Sequence, residues 1–85
     1  MPVVFRKDGL RFFFFSNEGS PREAVHVHVK GGGCDAKVWL EPIVAIADSY
    51  GFTSRELARI LRIVTENREV ILRAWHDHFA DGRPF

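Results

Sequence analysis

The chain predicts an α+β fold: an antiparallel meander of three to four strands with one long C-terminal helix packed across one face. Two observations predict it. The first half alternates apolar and polar residues with period two, as in "AVHVHVK" (24–30), and is punctuated by turn dipeptides. After residue 53 the period changes, and apolar residues recur every three or four positions as far as Phe79.

Taken in order, strands are predicted at about 2–7 and 10–16, joined through Asp8-Gly9, a dipeptide that supplies the positive φ of a tight hairpin turn. A turn-rich loop, "NEGSP" (17–21), precedes a third strand at 24–30. "GGGC" (31–34) links it to a fourth at 35–47, within which Pro42 marks an edge or a bulge because its ring nitrogen cannot donate to a ladder. Thr53-x-x-Glu56 fits a capping box at the start of a helix over about 54–79. Leu57, Ile60, Leu61, Val64, Ile71, Leu72, Trp75 and Phe79 form its apolar stripe. Asn67 and Arg68 interrupt that stripe without shifting its phase, so the helix is expected to be continuous or slightly bent. "DGRPF" (81–85) is a terminal tail.

Register follows from pattern. With 31–34 as the loop, Lys30 pairs with Asp35, Val29 with Ala36, Val27 with Val38, and Val25 with Leu40. Every small apolar residue of both strands then shares one face, whereas a one-residue slip would mix polar and apolar residues on both. The opposite face sets His28 beside Lys37 and His26 beside Trp39. The run Phe12–Phe15 adds two phenylalanines to each side. A sheet face holding Phe13, Phe15, His26, His28, Lys37 and Trp39, with nothing else in the chain long enough to cover it, points to a partner-binding surface.

Composition bounds the alternatives. Eighty-five residues make one domain with a modest core, to which dimerisation or a partner would add stability. A net charge of +1 argues against a dedicated nucleic-acid binder, although nine of the twelve basic residues are arginine, suited to forked contacts with carboxylate or phosphate. Arg55, Arg59 and Arg62 lie at i, i+4 and i+7 and are the candidate phosphate contacts for a nucleic-acid-associated regulator or nuclease-like toxin. His26-x-His28 aims two imidazoles the same way, as a metal-dependent enzyme would need, but lacks a third ligand, and Lys37 repels a cation. Cys34 stands alone, so no disulfide framework forms. No cofactor motif or catalytic constellation is identifiable. Apolar runs are too short for a signal peptide or a bilayer span, which gives a cytoplasmic address.

The segments "MPVVFRKDGLRFFFFSNEGSPREAVHVHV", "AKVWLEP", "YGFTSRELARILRIVTENREVILRAW" and "HDHF" together resemble a small prokaryotic family, domain of unknown function 4160. Many members read Pro-Pro-His-x-His before the third strand; here Ala24-Val25 takes the place of the prolines. The resemblance implies a compact, usually free-standing sheet-plus-helix protein. It also implies a gene often found beside one for domain of unknown function 2442, an arrangement suggesting a toxin–antitoxin-like pair. His26, His28, Trp39, Glu41, Gly51-Phe52, Asn67-Arg68-Glu69 and Trp75 match its pattern, and no catalytic role comes with them.

Overall fold

The computed structural model describes residues 3–15 and 24–80. The expected 17–21 loop and the 81–85 tail lie outside the described residues, as do the ends of the first two strands at Pro2 and Ser16. Five strands follow in chain order: β1 (Val3–Lys7), β2 (Leu10–Phe13), β3 (His26–Gly31), β4 (Cys34–Trp39) and β5 (Ala45–Tyr50). They form one antiparallel sheet in the same order, so each strand pairs with its neighbour in sequence. Two helices follow, α1 (Ser54–Glu66) and α2 (Arg68–Ala80).

The Asp8-Gly9 turn forms as expected, whereas the loop expected over 31–34 tightens to Gly32-Gly33, because Gly31 and Cys34 pair and extend the strands. Asp8 and Gly9 take φ of 53° and 78°, and Gly32 and Gly33 take 57° and 81°, the paired positive φ values of a two-residue turn that matches strand twist. The resulting register sets His26 opposite Trp39, Val27 opposite Val38, His28 opposite Lys37, Val29 opposite Ala36 and Lys30 opposite Asp35. Beyond the strand, the Leu40 N–H donates to the Val25 carbonyl at 2.8 Å.

Two expectations are corrected. The strand expected over 35–47 is two strands, which makes five in place of three to four. Pro42, without an N–H, ends pairing after Trp39, and the chain returns as the edge strand β5. Its Ala45-Ile46-Ala47-Asp48-Ser49-Tyr50 sequence alternates weakly because an edge strand is paired on one side only, and a bulge facing Lys37 and Val38 shifts its phase. The single long helix is likewise two. Asn67 leaves helical geometry at φ −113° and ψ 19°, and its side-chain amide donates to the Ile63 carbonyl at 2.8 Å. The Asn67 N–H donates to the same carbonyl at 3.0 Å, so its backbone and side chain share one acceptor where the two helices meet. Arg68 then fastens the start of α2 to the sheet, its Nε donating to the Leu40 carbonyl at 3.2 Å.

The start of α1 forms as expected. The Glu56 N–H donates to the Thr53 hydroxyl at 3.1 Å, and the Thr53 N–H donates to the Glu56 carboxylate at 2.8 Å, a reciprocal capping box. Phe52 and Leu57, the positions of a hydrophobic staple, both pack on the core. That core joins Phe12, Phe14, Val25, Val27, Val29, Ala36, Val38 and Leu40 from the sheet to Ile60, Ile63, Val64, Ile71 and Trp75 from the helices. The valine face therefore meets the helical stripe, and among the described residues no helix is long and apolar enough to cross a membrane.

Candidate functional site

The opposite face of the sheet is organised in rows running across the strands, because directly paired residues of an antiparallel sheet share a face. One row is Arg6, Arg11, Lys30, Asp35 and Tyr50, near the two hairpin turns. The next is Phe13, His28, Lys37 and Asp48, and beyond it lie His26, Trp39 and Ala45.

Burial divides the residues expected to bind a partner into two groups. Phe13 and His26 are fully buried, whereas Phe15, His28, Lys37 and Trp39 are half-buried. The His26 ring is enclosed by those of His28, Trp39 and Trp75, with centroids at 5.1, 5.5 and 5.2 Å. Trp75 also meets Phe14 edge-on at 5.3 Å, so α2 closes this end of the face. The expectation that nothing in the chain covers the face is thus corrected at His26. The two histidines share a side of one strand, yet only His28 retains access.

The His26 Nδ1 lies 2.9 Å from the Ala24 carbonyl. A carbonyl can only accept, so in this contact Nδ1 is the donor. With its donor committed to backbone and its ring sealed, His26 orients its neighbours and does not meet a solvent-borne substrate. Among the described residues, no His, Cys, Asp or Glu completes a three-ligand group with His26 and His28.

Above this buried layer the accessible side chains form a connected network. Phe15 meets His28 edge-on at 4.4 Å, and the His28 ring stacks at 5.7 Å on Phe13. The Lys37 ammonium sits 4.6 Å from the Trp39 ring centroid, and the Arg11 guanidinium 5.4 Å from that of Phe13. Cation–π contacts of this kind stabilise by ~0.5–1 kcal/mol at exposed sites, enough to bias the side-chain positions. A hollow of about 330 Å³ lies between Phe15, His28, Lys37 and Asp48, floored by Phe13. It adjoins a cleft of about 530 Å³ walled by Arg6, Arg11, Lys30 and Asp35 beneath the two glycine turns.

The arginines of α1 are placed differently. Arg55, Arg59 and Arg62 are all exposed, but Arg59 pairs with Asp8 at 3.9 Å, and Arg55 and Arg59 line a cavity shared with Asp8 and Glu56. Two carboxylates there balance the charge of the two guanidiniums. In contrast, no ion pair to Arg6, Arg11 or Lys30 occurs among the described residues, and the Lys30–Asp35 pairing expected from register is made by backbone only. The Arg6–Arg11 juxtaposition was not anticipated from sequence. The signal lay in the Asp8-Gly9 turn, which sets residues 6 and 11 opposite each other.

A model of a family described as a domain of unknown function, DUF4160, matches residues 9–76. The chain belongs to this family. The match spans β2 to β5, α1 and most of α2, and so includes Trp39, Trp75 and both strand histidines of this DUF4160 chain. No curated protein matches it, and no solved structure does.

Proposed function

We propose that this DUF4160 chain is a cytoplasmic protein-interaction module, one member of a two-gene toxin–antitoxin-like pair, which seats its partner on the accessible part of the second sheet face. The observation that carries the reading is the layering of that face. Half-buried Phe15, His28, Lys37 and Trp39 stand on fully buried Phe13 and His26, held by ring and cation–π contacts. Pre-ordered aromatic side chains lose little entropy on binding, and interface hot spots favour such anchors. The first candidate partner is the neighbouring protein of domain of unknown function 2442; a second copy of this chain is the other.

The test is titration calorimetry of the purified neighbour against wild type, Trp39→Ala and Phe15→Ala, with light scattering of each alone for self-association. Trp39→Ala is expected to keep its melting temperature within a few degrees and to weaken binding at least ~10-fold, the loss typical of an interface anchor. Equal affinity for wild type and both variants would remove this face from the interface. Unfolding of Trp39→Ala would make the residue a core element, contrary to the proposal.

A further inference from the structure

The cationic row at the hairpin end of the same face has a use that a protein partner does not require. Arg6, Arg11 and Lys30 are consecutive cross-strand neighbours, so three positive charges span two inter-strand gaps, roughly 10 Å in all. Arg6 and Lys30 are exposed and Arg11 half-buried, and all three line one cleft of about 530 Å³. Among the described residues, Asp35 is the single carboxylate lining it. Arginine forks suit phosphate, and a local row of this kind can bind it although the chain's net charge is only +1.

Aromatic groups lie immediately beside these charges. Two residues along β3, roughly 7 Å from Lys30, stands His28, with Phe15 against it and the 330 Å³ hollow between. Lys30 and Asp35 line both cavities, so the cleft and the hollow are continuous. Beyond the hollow, Lys37 and Trp39 repeat the pairing of a cation with an aromatic ring. A groove that presents charge, then ring, then charge and ring matches a strand of alternating phosphates and bases. A duplex hides the flat faces of its bases, whereas a single strand offers them for stacking.

We propose that this groove binds single-stranded nucleic acid, with phosphates on Arg6, Arg11 and Lys30 and a base stacked in the Phe15–His28 hollow. The groove shares Phe15 and His28 with the surface proposed for the protein partner but adds the cations of β1 to β3, and it needs no second protein. It also relocates the nucleic-acid contacts from the helix arginines, which have acidic neighbours, to the sheet cations.

The experiment is fluorescence anisotropy of the full chain with a labelled single-stranded RNA decamer at ~50 and ~200 mM salt. Probes for comparison are a polyglutamate decamer and free AMP. Three phosphate contacts predict about a 20-fold loss of affinity over that salt range, falling to about sevenfold in Arg11→Ala. Phe15→Ala should weaken RNA binding about tenfold at either salt and leave the salt dependence unchanged, because stacking releases no counterions. Arg59→Ala should change nothing. Should Phe15→Ala fail to fold, Phe15→Leu retains apolar bulk without the ring and is expected to show the same loss.

Absence of decamer binding at the lower salt would overturn the proposal. Polyglutamate binding as tight as RNA, with no effect of the Phe15 variants, would make the groove a receptor for acidic peptide instead. AMP as tight as the decamer would replace the strand by a free nucleotide. None of these results depends on whether the neighbouring protein binds, so the two readings fail separately.

Discussion

Replacing His26 and His28 by alanine, one at a time, separates a structural histidine from a surface one on the same strand. Residues two apart on a strand share its side, so alternation alone makes the two equivalent. The structure does not. His26→Ala empties a fully buried site ringed by His28, Trp39 and Trp75, and removes the donor to the Ala24 carbonyl. Ala24 is exposed, so water can replace that donor, and the cost is dominated by the cavity. Truncating a buried ring of this size costs ~2–4 kcal/mol. For a domain of 85 residues the whole stability is ~4–13 kcal/mol, so the loss is a large fraction. His28 is half-buried, and its truncation should cost about 1 kcal/mol or less. Urea unfolding followed by far-ultraviolet circular dichroism measures both, and a thermal melt should fall by roughly 10–30 °C for His26→Ala against less than about 8 °C for His28→Ala. Two variants within ~0.5 kcal/mol of each other would refute the asymmetry. So would a cost for His26→Ala below ~1 kcal/mol, since the cavity argument would then have failed.

Other perturbations test the frame that holds the face. Thr53→Ala removes one half of the capping box and should cost ~1 kcal/mol, measured by the same urea titration, with Thr53→Ser close to wild type. Gly51, at φ +88°, closes the turn between β5 and α1, and an added Cβ would meet the Cys34 Sγ at 2.8 Å. Gly51→Ala should therefore cost more than the ~1–2 kcal/mol of the backbone conformation alone. The Cys34→Ala background should restore only the part due to Sγ, since the Cβ of residue 34 remains at 3.2 Å, and full restoration would show that φ strain is negligible there. Trp75→Ala should cost ~3–5 kcal/mol, because the ring links α2 to Phe14 and His26 together; a cost under ~1 kcal/mol would mean that α2 does not close the sheet end.

How far the fold was legible depends on whether a local rule or a tertiary contact decides each element. The Asp8-Gly9 turn, the β3–β4 register and the Thr53 capping box rest on rules confined to a few residues, and all three form as read. The separation of the valine face from the histidine face followed from register, so the surface carrying Phe15, His28, Lys37 and Trp39 was legible too. The helix break was not, because apolar spacing runs through Asn67 in phase while the departure lies in its backbone dihedrals, which periodicity does not encode. Edge strand β5 was merged into the fourth strand expected at 35–47, because Pro42 was read as an edge or bulge within it, and what holds Asp48 and Ser49 extended is pairing to Lys37 and Ala36. The burial of His26 depends on Trp75, forty-nine positions away, a contact that no periodicity encodes. Sequence pattern assigns faces; it does not say which part of a face another element will shut.

The neighbour-to-neighbour order of the five strands bears on how the chain reaches this state. Each strand finds its partner across a connection of modest length, so no distant loop must close before a pairing is rewarded. The Asp8-Gly9 and Gly32-Gly33 hairpins can zip independently, each within microseconds, and present ready edges for β3 and β5 to extend. Helix formation is quicker still, but the Trp75 ring of α2 gains its contacts only once Phe14 and His26 are both in place. Sealing of the His26 pocket by Trp75 is then a late step in folding, and its reversal an early step in unfolding. The end of the sheet that holds His26 would thus exchange its amide protons before the hairpin end that carries Arg6, Arg11 and Lys30.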